Sequence, residues 1–267
     1  MKYLEKKKIF VFGGSGLIGK SIVKTFLSNN ANVVNLDIKK LNIKQNKYKF
    51  FNFDITNLKN LETELNILIK KFGIPDVIVN ASYPRTKDWP LNNFKKIKLN
   101  SLQKNVDIFL ISSAWISKFF ADKMSSKKRG SIILLGSIYS KLGQNLDNYK
   151  GTNMSENYSY SIIKGGLDNA TRQLASYYGR FNVRINNLCP GGLKSHVAGL
   201  SSKQNLKFIE KFKNKTPLKR LGNSKEVANV ALFLASNLSS YITGQSIYVD
   251  GGYTCGWNWP IPEGGGQ

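Results

Sequence analysis

Short apolar runs alternate with segments of helical period from one end of the chain to the other. Residues 8–12 (KIFVF), 32–36 (NVVNL), 48–53, 77–79 (VIV), 131–135 (SIILL), 183–188 and 246–249 read as strands. Between them, residues 17–27, 93–124, 158–178 and 225–234 carry helical spacing. In 58–72 the apolar residues Leu58, Leu61, Leu65, Leu68 and Phe72 recur every three or four positions, which predicts an amphipathic helix. Strands that alternate with helices predict a seven-stranded parallel sheet with helices on both faces, an α/β architecture. No repeat or low-complexity linker divides the chain, so a single domain over residues 1–267 is the expectation. Residues 191–217, rich in Ser, Lys and Asn, read as a mobile lid, and the end of the chain after Gly251 as irregular.

The first strand runs into Gly13-Gly14-Ser15-Gly16-Leu17-Ile18-Gly19, which opens the first helix. Glycines there permit a tight turn and let backbone N–H groups approach a pyrophosphate at a helix N-terminus. Asp37 ends the second strand about 20 residues on, where a carboxylate can accept bonds from the ribose hydroxyls of an adenosine. The same charge repels a 2′-phosphate, which favours NAD over NADP; Lys39 and Lys40 close by temper that preference. With this loop in place the expected fold is a doubly wound, Rossmann-type domain.

Tyr160 and Lys164 stand four residues apart in a helical stretch, so phenol and ammonium share a face. A free phenol titrates near pH 10. An ammonium roughly 4 Å away, at an effective dielectric of about 20, favours the phenolate by about 4 kcal/mol. That is worth about three pKa units before burial opposes it, which brings a tyrosine within range of acid–base work near neutrality.

Composition narrows the function classes. The 267 residues include 40 Lys+Arg against 16 Asp+Glu, a net charge of +24. The excess is mostly lysine and is spread along the chain, which reads as a solvated surface rather than a nucleic-acid footprint. Such a field would also draw anionic substrates. Two cysteines, Cys189 and Cys255, have no metal spacing and read as reduced thiols. His196 is the single histidine, so no His-based triad or His-rich metal site is expected. No signal-like leader and no membrane-length apolar run is visible, so the expected location is the cytoplasm. Trp89, Trp257 and Trp259 read as packing residues.

From Lys8 to about Tyr253 the chain resembles the short-chain dehydrogenase/reductase family, with its motifs in family order. The resemblance implies NAD(P)-dependent oxidoreduction at a CH–OH group, catalysed by Asn105, Ser137, Tyr160 and Lys164. It implies cofactor contacts from Gly13, Ser15, Gly16, Leu17, Ile18 and Asp37, and from Asp54-Ile55 against the adenine. Asn80 matches the first residue of the family's NNAG motif. Pro190, Gly191, Leu193 and Ser195 lie in a segment similar to the one that binds the nicotinamide end, and Tyr160 and Lys164 would touch the cofactor too. In that scheme Tyr160 exchanges the substrate proton and Ser137 holds the reacting oxygen. Lys164 tunes Tyr160 and binds the nicotinamide ribose, while Asn105 anchors a relay water. Residues 244–252 resemble the family's oligomer-forming end, which implies a homotetramer or dimer.

Four departures stand out: Leu17 replaces the usual middle glycine, Ala81-Ser82-Tyr83 replaces the rest of NNAG, Ser195 replaces threonine, and about ten extra residues separate Ser137 from Tyr160. The last implies an extra loop over 147–157 beside the active site. The loop sequence, Asn80–Arg85 and the insert look most like the flagellin-modification protein A group. That group implies a sugar, amino-sugar or sugar-phosphate substrate, with Arg85 or Lys87 near an anionic group. A catalytically silent NAD-binding scaffold and a sugar-nucleotide dehydratase or epimerase are the alternative readings. A charge-driven nucleic-acid binder is a further one, and neither nucleic acid nor membrane is the expected partner.

Overall fold

A computed structural model of the protein describes residues 2–194 and 204–256. Ser195, His196, Trp257 and Trp259 lie outside the described residues. Seven parallel strands form one sheet in the order β3-β2-β1-β4-β5-β6-β7. They are β1 Lys8–Phe12, β2 Asn32–Asp37, β3 Tyr48–Asn52, β4 Val77–Asn80, β5 Gly130–Leu135, β6 Val183–Pro190 and β7 Ser246–Val249. The helices are α1 Leu17–Ser28, α2 Leu61–Phe72, α3 Leu99–Asn105, α4 Ser112–Ser125, α5 Tyr158–Tyr178, α6 Leu206–Asn214 and α7 Ser224–Ala235. This is the predicted doubly wound α/β architecture.

Alternation along the strands decides which helices cover which face. Ile9 and Val11 of β1 point with Val33, Val79 and Ile133 into a core closed by Ile22, Val23 and Phe26 of α1 and Val227, Ala231 and Leu234 of α7. Phe10 and Phe12 point the other way, with Val34, Ile78 and Ile132, into a core closed by α2, α4 and α5. There the Phe10 ring meets Phe120 edge-on at 5.8 Å between centroids, and Phe12 meets Phe53 at 5.1 Å. The strand order reverses at β1, whose two neighbours are β2 and β4. The carboxyl ends of β1 and β4 therefore flank a crevice, the position at which open α/β sheets bind ligands.

Three segments depart from the expectations. The long helix predicted over 93–124 starts at Leu99. Asn93 caps the preceding turn, its side-chain oxygen accepting from the Lys95 and Lys96 N–H groups, both at 3.1 Å. The same helix widens into a π-turn at Val106–Ile111 before α4. The segment 191–217, read as a mobile lid, contains α6: Asn205 accepts from the Phe208 N–H and caps it, and Phe212 is buried against Tyr253, rings stacked at 4.4 Å. The insert before α5 forms a short helical turn at Leu146–Asn148 and a loop.

Candidate active site

The glycine loop leaves the carboxyl end of β1 at the switch point. Gly13 has φ +70°, and a Cβ there would lie 2.5 Å from the Ser82 backbone. A Cβ on Gly19 would lie 2.1 Å from the Gly13 carbonyl oxygen. Both positions therefore demand glycine, and the loop lies flat against the chain leaving β4. Gly16 caps α1 without a side chain, and no acidic residue occupies its first turn. The exposed N-terminus of α1 is thus left electropositive and open to an anion. Asn80, buried at the end of β4, accepts from the Ser82 N–H at 3.2 Å while its own Nδ2 has no partner. These features suit a dinucleotide pyrophosphate, with Leu17 and Ile18 in the first turn beneath it.

Asp37 ends β2 beside that loop. Its carboxylate accepts from the Ser15 N–H at 2.9 Å and the Lys39 N–H at 3.0 Å. Asp54 lies exposed after β3, accepting from Thr56, and Ile55 beside it is buried. At the far side of the crevice, Gly191 follows Pro190 out of β6 and donates its N–H to the Val249 carbonyl oxygen at 3.0 Å. Leu193 bridges to Gly222.

Ser137, Tyr160 and Lys164 converge beyond the carboxyl ends of β5 and β6. Ser137 follows β5 and accepts from the Tyr139 N–H at 3.2 Å, which leaves its hydroxyl hydrogen free to turn to the phenol of Tyr160. Asn157 caps α5 by accepting from the Tyr160 N–H at 2.9 Å and donates to the Trp89 carbonyl oxygen at 3.0 Å, so Tyr160 sits in a fixed first turn. One turn on, Lys164 donates to the Leu135 carbonyl oxygen at 2.6 Å and lies 4.5 Å from the Phe109 ring centroid and 5.4 Å from that of Tyr160.

Burial dominates the acid–base properties of this pair. It pushes Tyr160 up to about 12, against the hydrogen bond from Ser137, and brings Lys164 down to about 7. The expectation that Lys164 would depress Tyr160 by direct attraction is not met in the chain by itself. The ammonium lies over the ring rather than bonded to the phenol oxygen, and in this buried setting only about half of it is charged at pH 7. Cys189 beneath them is buried and raised to about 11, an inert thiol.

Asn105 lies at the end of α3, fully buried. Its amide donates to Thr86 Oγ1 and the Ser101 carbonyl oxygen, both at 2.8 Å, and its oxygen accepts from the Thr86 N–H at 3.0 Å. The side chain anchors the loop after β4, and none of these bonds goes to Lys164.

That loop and the turn after β5 supply what the sequence did not announce, an aromatic enclosure around Tyr160. Tyr83, Trp89 and Tyr139 stand 5.9, 6.2 and 6.3 Å from its ring. Arg85 lies 5.8 Å over Tyr83. Gln144 fastens the insert to α5: its amide donates to the Asn157 carbonyl oxygen at 2.6 Å and to Ser161 Oγ at 2.9 Å, and its oxygen accepts from the Tyr149 hydroxyl at 2.9 Å. Lys211 of α6 donates to the Asp147 and Lys150 carbonyl oxygens at 2.8 and 2.5 Å, which joins α6 to the same insert. Among the described residues no group of three His, Cys, Asp or Glu side chains could hold a metal, and no helix is long and apolar enough to cross a membrane.

Residues 15–254 match a family model described as enoyl-(acyl carrier protein) reductase. The chain is 28% identical over 260 residues to the post-translational flagellin modification protein A of Campylobacter coli, covering 94% of this chain and 99% of that one. It is 32% identical to a 3-oxoacyl-(acyl-carrier-protein) reductase of Buchnera aphidicola, over 92% of this chain and 97% of that one. Among solved structures, a short-chain dehydrogenase from Leptospira borgpetersenii with bound NAD+ superposes with a TM-score of 0.83 at 29% identity, covering 94% of each chain.

Proposed function

The chain belongs to the short-chain dehydrogenase/reductase family of oxidoreductases, and from that premise we propose that it transfers a hydride between NAD(H) and a secondary alcohol or ketone of a sugar, amino sugar or sugar phosphate. The observation that carries this reading is the meeting of the Tyr160 phenol, the Ser137 hydroxyl and the buried Lys164 amine at the open end of the sheet.

In this reading the cofactor, when bound, supplies or accepts the hydride. Gly13, Ser15, Gly16, Leu17 and Ile18 hold its pyrophosphate, and Asp37 holds the adenosine ribose. Asp54 and Ile55 flank the adenine, while Asn80, Pro190, Gly191 and Leu193 contact the nicotinamide half. For ketone reduction Tyr160 donates its proton to the substrate oxygen, which Ser137 steadies by a hydrogen bond; alcohol oxidation runs the same transfer backwards. Lys164 binds the nicotinamide ribose, and with a pKa near 7 it can exchange the proton that Tyr160 gains or loses. Asn105 acts by holding Thr86, and with it the loop carrying Tyr83 and Arg85.

The substrate class rests on the enclosure. Aromatic faces with hydroxyl groups at their edges suit the mixed apolar and polar surface of a sugar ring, and the Arg85 guanidinium suits a phosphate or carboxylate upon it. Similarity to the flagellin modification protein over nearly the whole chain supports the same class. The protein works as one domain in the cytoplasm, and as a dimer or tetramer. The test is a panel of sugars, amino sugars and their phosphates with NAD+ or NADH, read at the nicotinamide absorbance. Turnover of a member of the panel, lost by at least about a thousandfold in Tyr160→Phe, is expected. Turnover that survives in Tyr160→Phe contradicts the assignment.

A further inference from the structure

Strand β2 reads NVVNLD, and one position in its middle is out of character. Asn35 is fully buried between Val34 and Leu36, in register with Val11 of β1 and Phe50 of β3. An apolar residue would serve the core better there, because a buried amide costs free energy wherever it goes unpaired. Asn35 is in fact only half paired. Its Nδ2 donates to Ser15 Oγ at 2.9 Å and to the Tyr48 hydroxyl at 3.1 Å, while its Oδ1 is buried with no partner.

The amide lies directly beneath the glycine loop. A Cβ on Gly14 would come within 2.3 Å of Asn35 Oδ1, so the glycine lets the loop rest on this side chain. Ser15, held from below by Asn35, is also held from the side. Its N–H donates to Asp37 Oδ2 at 2.9 Å, and its hydroxyl donates to the Lys39 carbonyl oxygen. The Lys39 N–H returns a bond to Asp37 Oδ1 at 3.0 Å. Asn35, Ser15, Asp37 and the turn at Lys39 thus form one connected set, with the Asp37 carboxylate fixed at its centre.

We infer that Asn35 is a positioning residue for cofactor choice: through Ser15 it fixes the Asp37 carboxylate against the glycine loop, and this fixed charge is what separates NADH from NADPH. The inference rests on the proposed dinucleotide site. Asn35 lies under the loop, so it acts on the cofactor only through Ser15. A carboxylate held at one place accepts from ribose hydroxyls and repels a 2′-phosphate at that same place. With Ser15 released, Asp37 can turn toward solvent, and the ammonium groups of Lys39 and Lys40 are left to attract the phosphate. Loss of one such hydrogen bond is worth about threefold to tenfold in binding.

The test is the pair of dissociation constants for NADH and NADPH, read by the fluorescence of the bound reduced nicotinamide. They are measured in the wild-type protein, Asn35→Ala, Ser15→Ala and the double variant. Wild type binds NADH more tightly. Each single variant narrows the NADPH-to-NADH ratio by about threefold to tenfold, mainly by weakening NADH, and the double variant narrows it no further than the larger single effect. A general loss of packing would weaken both cofactors alike and leave the ratio alone. Ser15→Ala breaks the same bond from its loop end and leaves the Asn35 side chain filling the core, so it carries the test should Asn35→Ala fail to fold. Wild type without a preference for NADH overturns the cofactor reading and this inference with it. A preference that survives in both single variants, or single effects that add in the double variant, overturns this inference alone.

Discussion

Replacing Lys164 by methionine should abolish turnover and stabilise the fold at the same time, by an amount that depends on pH. The amine is buried among Phe109, Tyr160 and the end of β5, with one hydrogen bond, to the Leu135 carbonyl oxygen. Burial lowers its pKa from 10.5 to about 7. Below pH 7 the lysine is charged in both the folded and the unfolded chain, and the folded state carries the full penalty of the buried charge. Between about pH 7 and 10.5 the folded state is neutral while the unfolded state still binds a proton, so stability rises with pH across that window. At about pH 6 the penalty is about 5 kcal/mol, and at about pH 9.5 it has fallen to about 1 kcal/mol. Methionine has similar length and no charge, but leaves the Leu135 carbonyl oxygen unpaired at a cost of about 1–3 kcal/mol. The net gain is then about 2–4 kcal/mol at pH 6, or roughly 5–15 °C in melting temperature, and close to nothing at pH 9.5. Scanning calorimetry of both proteins at the two pH values measures it. A Lys164→Met protein that melts at or below the wild type at pH 6, or whose difference from wild type is the same at both pH values, refutes the argument.

Two further outcomes follow from the site. Gly13→Ala places a Cβ 2.5 Å from the Ser82 backbone at a φ of +70°. It should cost at least about 1–2 kcal/mol of stability for the left-handed backbone and remove stabilisation by NADH; a variant that melts and binds NADH as the wild type does would contradict the packing of the loop against the β4 exit. Tyr160, raised to about 12, is protonated at neutral pH, so ketone reduction should be flat between about pH 6 and 8 while alcohol oxidation rises with pH. Rate profiles in the two directions check this, and oxidation that is fastest below pH 7 would count against Tyr160 as the base.

Much of the architecture was legible because each core face repeats its own signal. The β1 strand KIFVF sends Ile9 and Val11 one way and Phe10 and Phe12 the other, and its limits matched the apolar run. The helix carrying Tyr160 was equally plain, since its boundaries fall at the Asn157 cap and at Gly179. Where side chains compete with the backbone, the pattern misled. Asn93 makes a local turn that periodicity cannot distinguish from a helical start, and α6 hides Phe208, Ile209 and Phe212 among the lysines of a segment that reads as a mobile lid. The Asn205 cap three residues before Phe208 was the available signal. The π-turn at Val106–Ile111 leaves no trace in apolar spacing. Tyr83, Tyr139, Tyr149 and Gln144 come together from three separate segments, so no local motif could disclose them. The balance between Tyr160 and Lys164 was misjudged for a related reason. Spacing gives the neighbour, but only the packed structure gives the burial that outweighs it.

The most direct test of the account is the melting temperature of the purified protein with NAD+, NADH, NADP+ and NADPH at matched concentrations. A ligand at a hundredfold excess over its dissociation constant stabilises by about 2.7 kcal/mol, roughly 5–11 °C for a chain of this size. The account predicts that NADH and NAD+ raise the melting temperature and that the phosphorylated pair raises it less. A melting temperature unmoved by all four would contradict the dinucleotide site, and with it the proposed chemistry.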